Sequence, residues 1–146
     1  MDPIATAINR ITGGFNCSQA ILSAFSQRYN LPEEIALRIA APFGAGIGRM
    51  GGTCGAVSGA FMVIGLKYGH VSSEDQAGKE IAYQVARAFS ERFIDRLGSL
   101  ECRELLGYDL SKPEELLRIR ELGLFQTRCP ELVRASAEVL TELLES

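Results

Sequence analysis

The chain has 146 residues, 47% of them hydrophobic, which suits one domain that buries a sizeable core without covalent staples. Fifteen Lys+Arg against eighteen Asp+Glu leave a net charge of −3 with no basic block, so nucleic acid is not an expected partner. No apolar run reaches the roughly 20 residues of a membrane helix, and residues 1–6 lack the charged-then-apolar pattern of a secretory signal; no membrane contact and a cytoplasmic location are expected.

Taken in chain order, the elements read as helices throughout. Ile4, Ala7, Ile8 and Ile11 form a short apolar stripe that Gly13-Gly14 ends, and a second helix runs from about Cys17 to Tyr29. Pro32 opens a third, with Glu33 and Glu34 in the first turn where the helix dipole favours acids, and Pro42 closes it. Glycines at 44, 46, 48, 51, 52 and 55 follow, leading into an apolar helix from Cys54 to about Tyr68 that reads as buried and central. Ser73 to Leu97 is the longest helix, with Ile81, Val85, Phe89, Phe93 and Leu97 on one face and Gly98 at its end. Beyond a short turn at Cys102, Lys112-Pro113-Glu114-Glu115 starts a helix that Gly123 ends. A last one is expected from Pro130 to about Leu144, with Leu132, Ser136, Val139, Leu140 and Leu143 inward. No stretch alternates with a period of two, so the fold class is all-α, a bundle of about six or seven helices in a single domain over residues 1–146.

The four cysteines, Cys17, Cys54, Cys102 and Cys129, each fall beside a helix-start signal. Asn16 is a good N-cap for Cys17, Thr53 for Cys54 and Ser99 for the turn holding Cys102, while Pro130, a residue favoured at the first helical position, follows Cys129. A helix N-terminus favours thiolate over thiol, and the thiolate is the form that attacks disulfides and binds metals. Free cysteine is also a small apolar residue that packs well in a core. In a cytoplasmic protein disulfides are mostly transient and catalytic, which adds weight to a chemical role.

The glycine-rich stretch satisfies G-x-G-x-x-G at Gly46, Gly48 and Gly51, but a helix precedes it where the dinucleotide fingerprint needs a strand. As a P-loop it fails too, because Gly52 stands where the phosphate-binding lysine must be. Gly51, Gly55 and Gly59 recur every four residues, which on a helix makes a smooth face; with Gly52 they are candidates for binding a small ligand or cofactor, and tight helix packing is the competing reading. Arg49 could add positive potential there. His70, the sole histidine, reads as a solvated turn residue.

Cys54-Gly55-Ala56-Val57-Ser58-Gly59 reads as C-G-A-x-x-G, and with Cys17 upstream and Cys102 and Cys129 downstream the chain resembles the C_GCAxxG_C_C family over nearly its whole length. The resemblance implies a bacterial or archaeal protein whose four cysteines are redox-active. Three chemistries stay open. Thiol–disulfide exchange, with Cys54 the best nucleophile, needs pairs formed by the fold because no C-x-x-C exists. Ligation of zinc or an iron–sulfur cluster by all four cysteines needs them gathered from separations of 37, 48 and 27 residues. A helical interaction module would use the long helix as its surface. A redox partner protein and pairing of two copies through small-residue helix faces are the partners such a chain would have.

Overall fold

The computed structural model describes residues 2–145, and the fold is all-α. The seven longer helices are α1 (Pro3–Thr12), α2 (Cys17–Phe25), α3 (Glu33–Ala40), α5 (Gly55–Tyr68), α6 (Gln76–Leu97), α8 (Pro113–Leu122) and α9 (Leu124–Leu144). Two short turns, α4 (Gly44–Ile47) and α7 (Cys102–Leu106), lie between them. Among the described residues the only β-type pairing is an isolated antiparallel bridge, Thr53 with Glu101. No helix among them is long and apolar enough to cross a membrane.

Helix α5 is the centre. Gly55, Ala56, Val57, Gly59, Ala60, Val63 and Ile64 are all buried, so it carries no polar face, as expected of a helix with neighbours on most sides. It packs on α2, α6 and α9, and α1 closes over α2 and α9. Phe89 and Phe93 of α6 stack at 5.7 Å, and Phe61 of α5 meets Phe89 edge-on at 6.0 Å. Ser136 of α9, fully buried, donates to the Ala56 carbonyl at 2.7 Å and ties α9 to the first turn of α5.

Two helix starts differ clearly from the sequence expectation. The last helix begins at Leu124, not Pro130, which lies inside it. The proline removes one backbone hydrogen bond, but the inward residues Leu132, Val133, Ser136, Ala137, Val139 and Leu140 hold the helix in place through burial. The long helix starts at Gln76, capped by the Asp75 side chain, which accepts from Gly78 N at 2.9 Å; Ser73 lies outside it. Its apolar face is only partly used, since Phe89 and Phe93 are buried but Ile81 is 47% exposed: the N-terminal half reaches past the core.

The contact between α2 and α5 depends on two glycines. A Cβ at Gly59 would stand 2.9 Å from the Ser18 carbonyl oxygen and 3.1 Å from Ile21 Cβ, and one at Gly55 would stand 2.9 Å from Ser18 N and 3.1 Å from Cys17 Cβ. At both positions the nearest atom is Ser18 backbone on a packed helix, which cannot swing aside. The glycine face of α5 is therefore filled by α2 at these two positions. Gly51, which the four-residue spacing placed on the same face, lies before the helix, in a loop.

Gly59→Ala is expected to destabilise the protein by about 1–3 kcal/mol through forced helix separation. Gly65→Ala, where an added Cβ meets nothing within 4 Å on the same helix, is expected to stabilise by about 0.5–1 kcal/mol. Urea denaturation of both variants checks the pair.

Candidate thiol site

Each cysteine reaches the site by a different local device. Cys17 is the first residue of α2, behind a capping box: Gln19 N donates to Asn16 Oδ1 at 2.9 Å and Asn16 N to Gln19 Oε1 at 3.1 Å. The same two side chains donate to the carbonyls of Ala41 and Leu37, so the start of α2 is fastened to α3 and the segment after it. Cys54 is itself the N-cap of α5, and Thr53 is not. Cys102 opens α7 behind Glu101 rather than Ser99. Cys129 sits within α9 and is the exception to the shared helix-start position that Pro130 indicated.

A backbone clip joins two of them. Cys54 N donates to Leu100 O at 2.8 Å and Cys102 N to Gly52 O at 2.6 Å, on either side of the Thr53–Glu101 bridge. In such an antiparallel pair alternate residues share a face, so Cys54 and Cys102 are diagonal neighbours on one side of the clip. The close approach of Gly55 to Cys17 brings the third thiol against Cys54, and the Ser136 bond to Ala56 holds α9, with Cys129, over the same end of α5.

All four cysteines line one cavity of about 450 Å3, open on one side to solvent. They are unbridged and buried, Cys54 at 1% exposure and Cys17 at 8%. Ile11, Phe15, Leu106, Phe125 and Leu132 supply apolar wall, and Arg49 is the one charged side chain on it. Of the candidate glycines, Gly55 lines the cavity, while Gly51, Gly52 and Gly59 lie outside its wall. Among the described residues no group of three or more His, Cys, Asp or Glu side chains is placed to hold a metal ion as it stands.

A family model described as "Putative redox-active protein (C_GCAxxG_C_C)" matches residues 15–143, from just before the first cysteine to beyond the last. The chain belongs to the C_GCAxxG_C_C family. No curated protein and no solved structure matches it. The glycines of the C-G-A-x-x-G segment have the physical role described above: they let α2 lie against α5 beside Cys54.

The thiols of this C_GCAxxG_C_C protein are not equivalent. Cys17 is pushed well above the ordinary thiol range, first by hydrogen bonding to Cys129, then to Cys54, with burial adding to both. Cys54 is lowered, chiefly because Cys17 donates to it; the amides of Ala56 and Val57 at the α5 N-terminus and the charge of Arg128 act the same way against burial. Cys102 is raised, by burial first and by the neighbouring Cys54 and Cys129 next. The helix-start position thus predisposes a thiol without deciding its shift: Cys17 has that position and is raised all the same. Arg128, absent from the sequence reading, is held by a 3.2 Å bond from its Nε to the Leu105 carbonyl and a 3.1 Å ion pair with Glu131. Its place next to Cys129 in the chain was the one available signal.

The loop that borders the cavity is left-handed over five consecutive residues: Ala45, Gly46, Ile47, Gly48 and Arg49 have φ of 57°, 69°, 66°, 56° and 66°. For the three non-glycine residues this conformation costs about 1–2 kcal/mol each. Gly46 admits no other residue, since a Cβ would stand 2.6 Å from Gly52 N and 2.8 Å from Cys102 Cβ. The strained turn brings Ala45 and Arg49 to the cavity wall.

Two outcomes are expected. Cys54 binds fewer protons folded than unfolded below the ordinary thiol pKa of about 8.5, so its contribution to stability rises with pH in that window. Above it, the unfolded chain ionises Cys17 and Cys102 while the folded one keeps them protonated, and stability falls by about 1.4 kcal/mol per pH unit for each. Urea midpoints across the alkaline range should pass through a maximum and then drop, and the drop should flatten in Cys102→Ser. Separately, Ile47→Gly should raise stability by about 1 kcal/mol by relieving the left-handed strain, as read by thermal melting.

Proposed function

We propose that this chain performs thiol–disulfide exchange, with Cys54 as the attacking thiolate and Cys17 as the resolving thiol. The observation that supports this most directly is the meeting of two unbridged thiols in one solvent-open cavity, with Gly55 letting Cys17 lie against Cys54 at the N-cap of α5. Cys17 donates to Cys54, which lowers Cys54 and raises Cys17. A reactive dithiol needs that division, because the attacking group must be ionised while its partner waits. Cavity access supplies the second requirement, a route for the reactant to reach Cys54.

In the first step the Cys54 thiolate attacks one sulfur of a disulfide R–S–S–R, forming a Cys54–S–S–R mixed disulfide and releasing R–S⁻. In the second step Cys17 loses its proton to solvent or to the departing thiolate and attacks the Cys54 sulfur. A Cys17–Cys54 disulfide forms and the second R–S⁻ leaves, so the protein is oxidised by two electrons and the reactant reduced by two. In this reading Cys129, which shares the cavity with Cys17, and Cys102, beside Cys54 on the clip, accept that disulfide by internal exchange.

Reduced protein prepared without oxygen should carry four titratable thiols on denaturation and two after one equivalent of a small disulfide. Cys54→Ser should lose the fast reaction, and Cys17→Ser should stop at the mixed disulfide, seen by intact mass as one added R–S group. Iron or zinc bound at one equivalent in that preparation, or unchanged kinetics in Cys54→Ser, would overturn the reading.

A further inference from the structure

The cavity limits what can react at Cys54, and this deepens the exchange reading on which it rests. Cys54 and Cys17 lie at the bottom of a pocket rather than on the surface, with exposures of 1% and 8%. A disulfide within a folded protein has two chain segments attached to it and must meet its attacking thiolate at an exposed surface. A free small molecule can enter instead, and about 450 Å3 falls within the roughly 300–1,000 Å3 of pockets that enclose small organic ligands. The wall is largely apolar, with aromatic rings from Phe15 and Phe125, and it carries no acidic side chain. Its one cationic side chain is the guanidinium of Arg49, which is exposed and makes no ion pair among the described residues. The strained backbone at Arg49 delivers that cation to the cavity of a chain whose net charge is −3.

We propose that the reactant of this site is a small, anionic organic disulfide, which enters the cavity with its negative group paired to Arg49 and presents its S–S bond to Cys54. The cation favours an entering anion by local potential, and the pairing also sets the molecule's direction in the pocket. Proteins carrying disulfides are excluded by the depth of the two sulfurs. The reaction balances as written above, with the small disulfide as the oxidant.

The test uses reduced full-length protein and three probes: the dianionic aromatic disulfide dithiobis(nitrobenzoate), neutral dithiodipyridine, and native insulin as a protein disulfide. Each small-probe rate is divided by that of free cysteine with the same probe, which removes intrinsic reactivity. The anionic-to-neutral ratio should exceed one, fall about tenfold in Arg49→Gln, return toward the original in Arg49→Lys, and shrink with added salt. Insulin should not be reduced. A ratio that is unchanged in Arg49→Gln, or insulin reduction at a rate comparable with the small probes, would sink this proposal. The exchange reading is judged by a different arm: reaction with the neutral probe that is lost in Cys54→Ser sustains it whatever the charge preference, and no reaction with either small probe overturns both.

Discussion

Two missing side chains, at Gly55 and Gly59, set how near α2 lies to α5, and the rest of the site depends on that distance. With a Cβ at either position the Ser18 backbone would have to retreat, taking Cys17 with it. The coupling that raises Cys17 and lowers Cys54 depends on the two helices being this close. The same contact buries Ile21 and Val57 at the middle of the core, so core packing and thiol chemistry are served by one geometric requirement. The C-G-A-x-x-G segment therefore joins a reactive residue, Cys54, to the spacing device that supplies its partner.

Around that contact, the fold draws its sulfurs from four unrelated stretches, each fastened by its own interaction. The capping box fixes Cys17, the Thr53–Glu101 clip fixes Cys54 and Cys102, and the Ser136 bond to Ala56 fixes the helix that bears Cys129. None of these is a metal-type ligand loop with two cysteines a few residues apart. The arrangement instead graduates the thiols by environment: one is stabilised as an anion by a thiol donor, two amides and an arginine, and two are held protonated by burial and by their neighbours.

Much of this was legible in the sequence where the signal is local. Asn16, Lys112-Pro113, and the glycines after Leu97 and Leu122 mark helix ends that the structure reproduces, because caps depend on a few adjacent residues. The inward set Leu132, Ser136, Val139, Leu140 and Leu143 was readable from period alone. Pro130 misled, since a proline inside a helix and one at its first position look alike in sequence, and only the packing of Leu124–Leu144 decides between them. The clip was invisible because two-residue pairing across a separation of 48 residues leaves no periodic trace. The left-handed run at Ala45–Arg49 was hidden for a related reason: glycines permit such backbone, but three non-glycine residues adopt it only because the surrounding structure imposes it.

The wide spacing of the cysteines along the chain has a mechanical side. A bond between Cys17 and Cys54 would close a loop of 37 residues, and cross-linking a loop of that length removes enough freedom from the unfolded chain to be worth roughly 4 kcal/mol. That is a sizeable share of the about 5–15 kcal/mol that holds a typical domain together. Oxidation at this site would therefore do more than store two electrons. It would move the whole molecule between a looser and a firmer state, so that resistance to unfolding or proteolysis becomes a readout of how many of its sulfurs are joined.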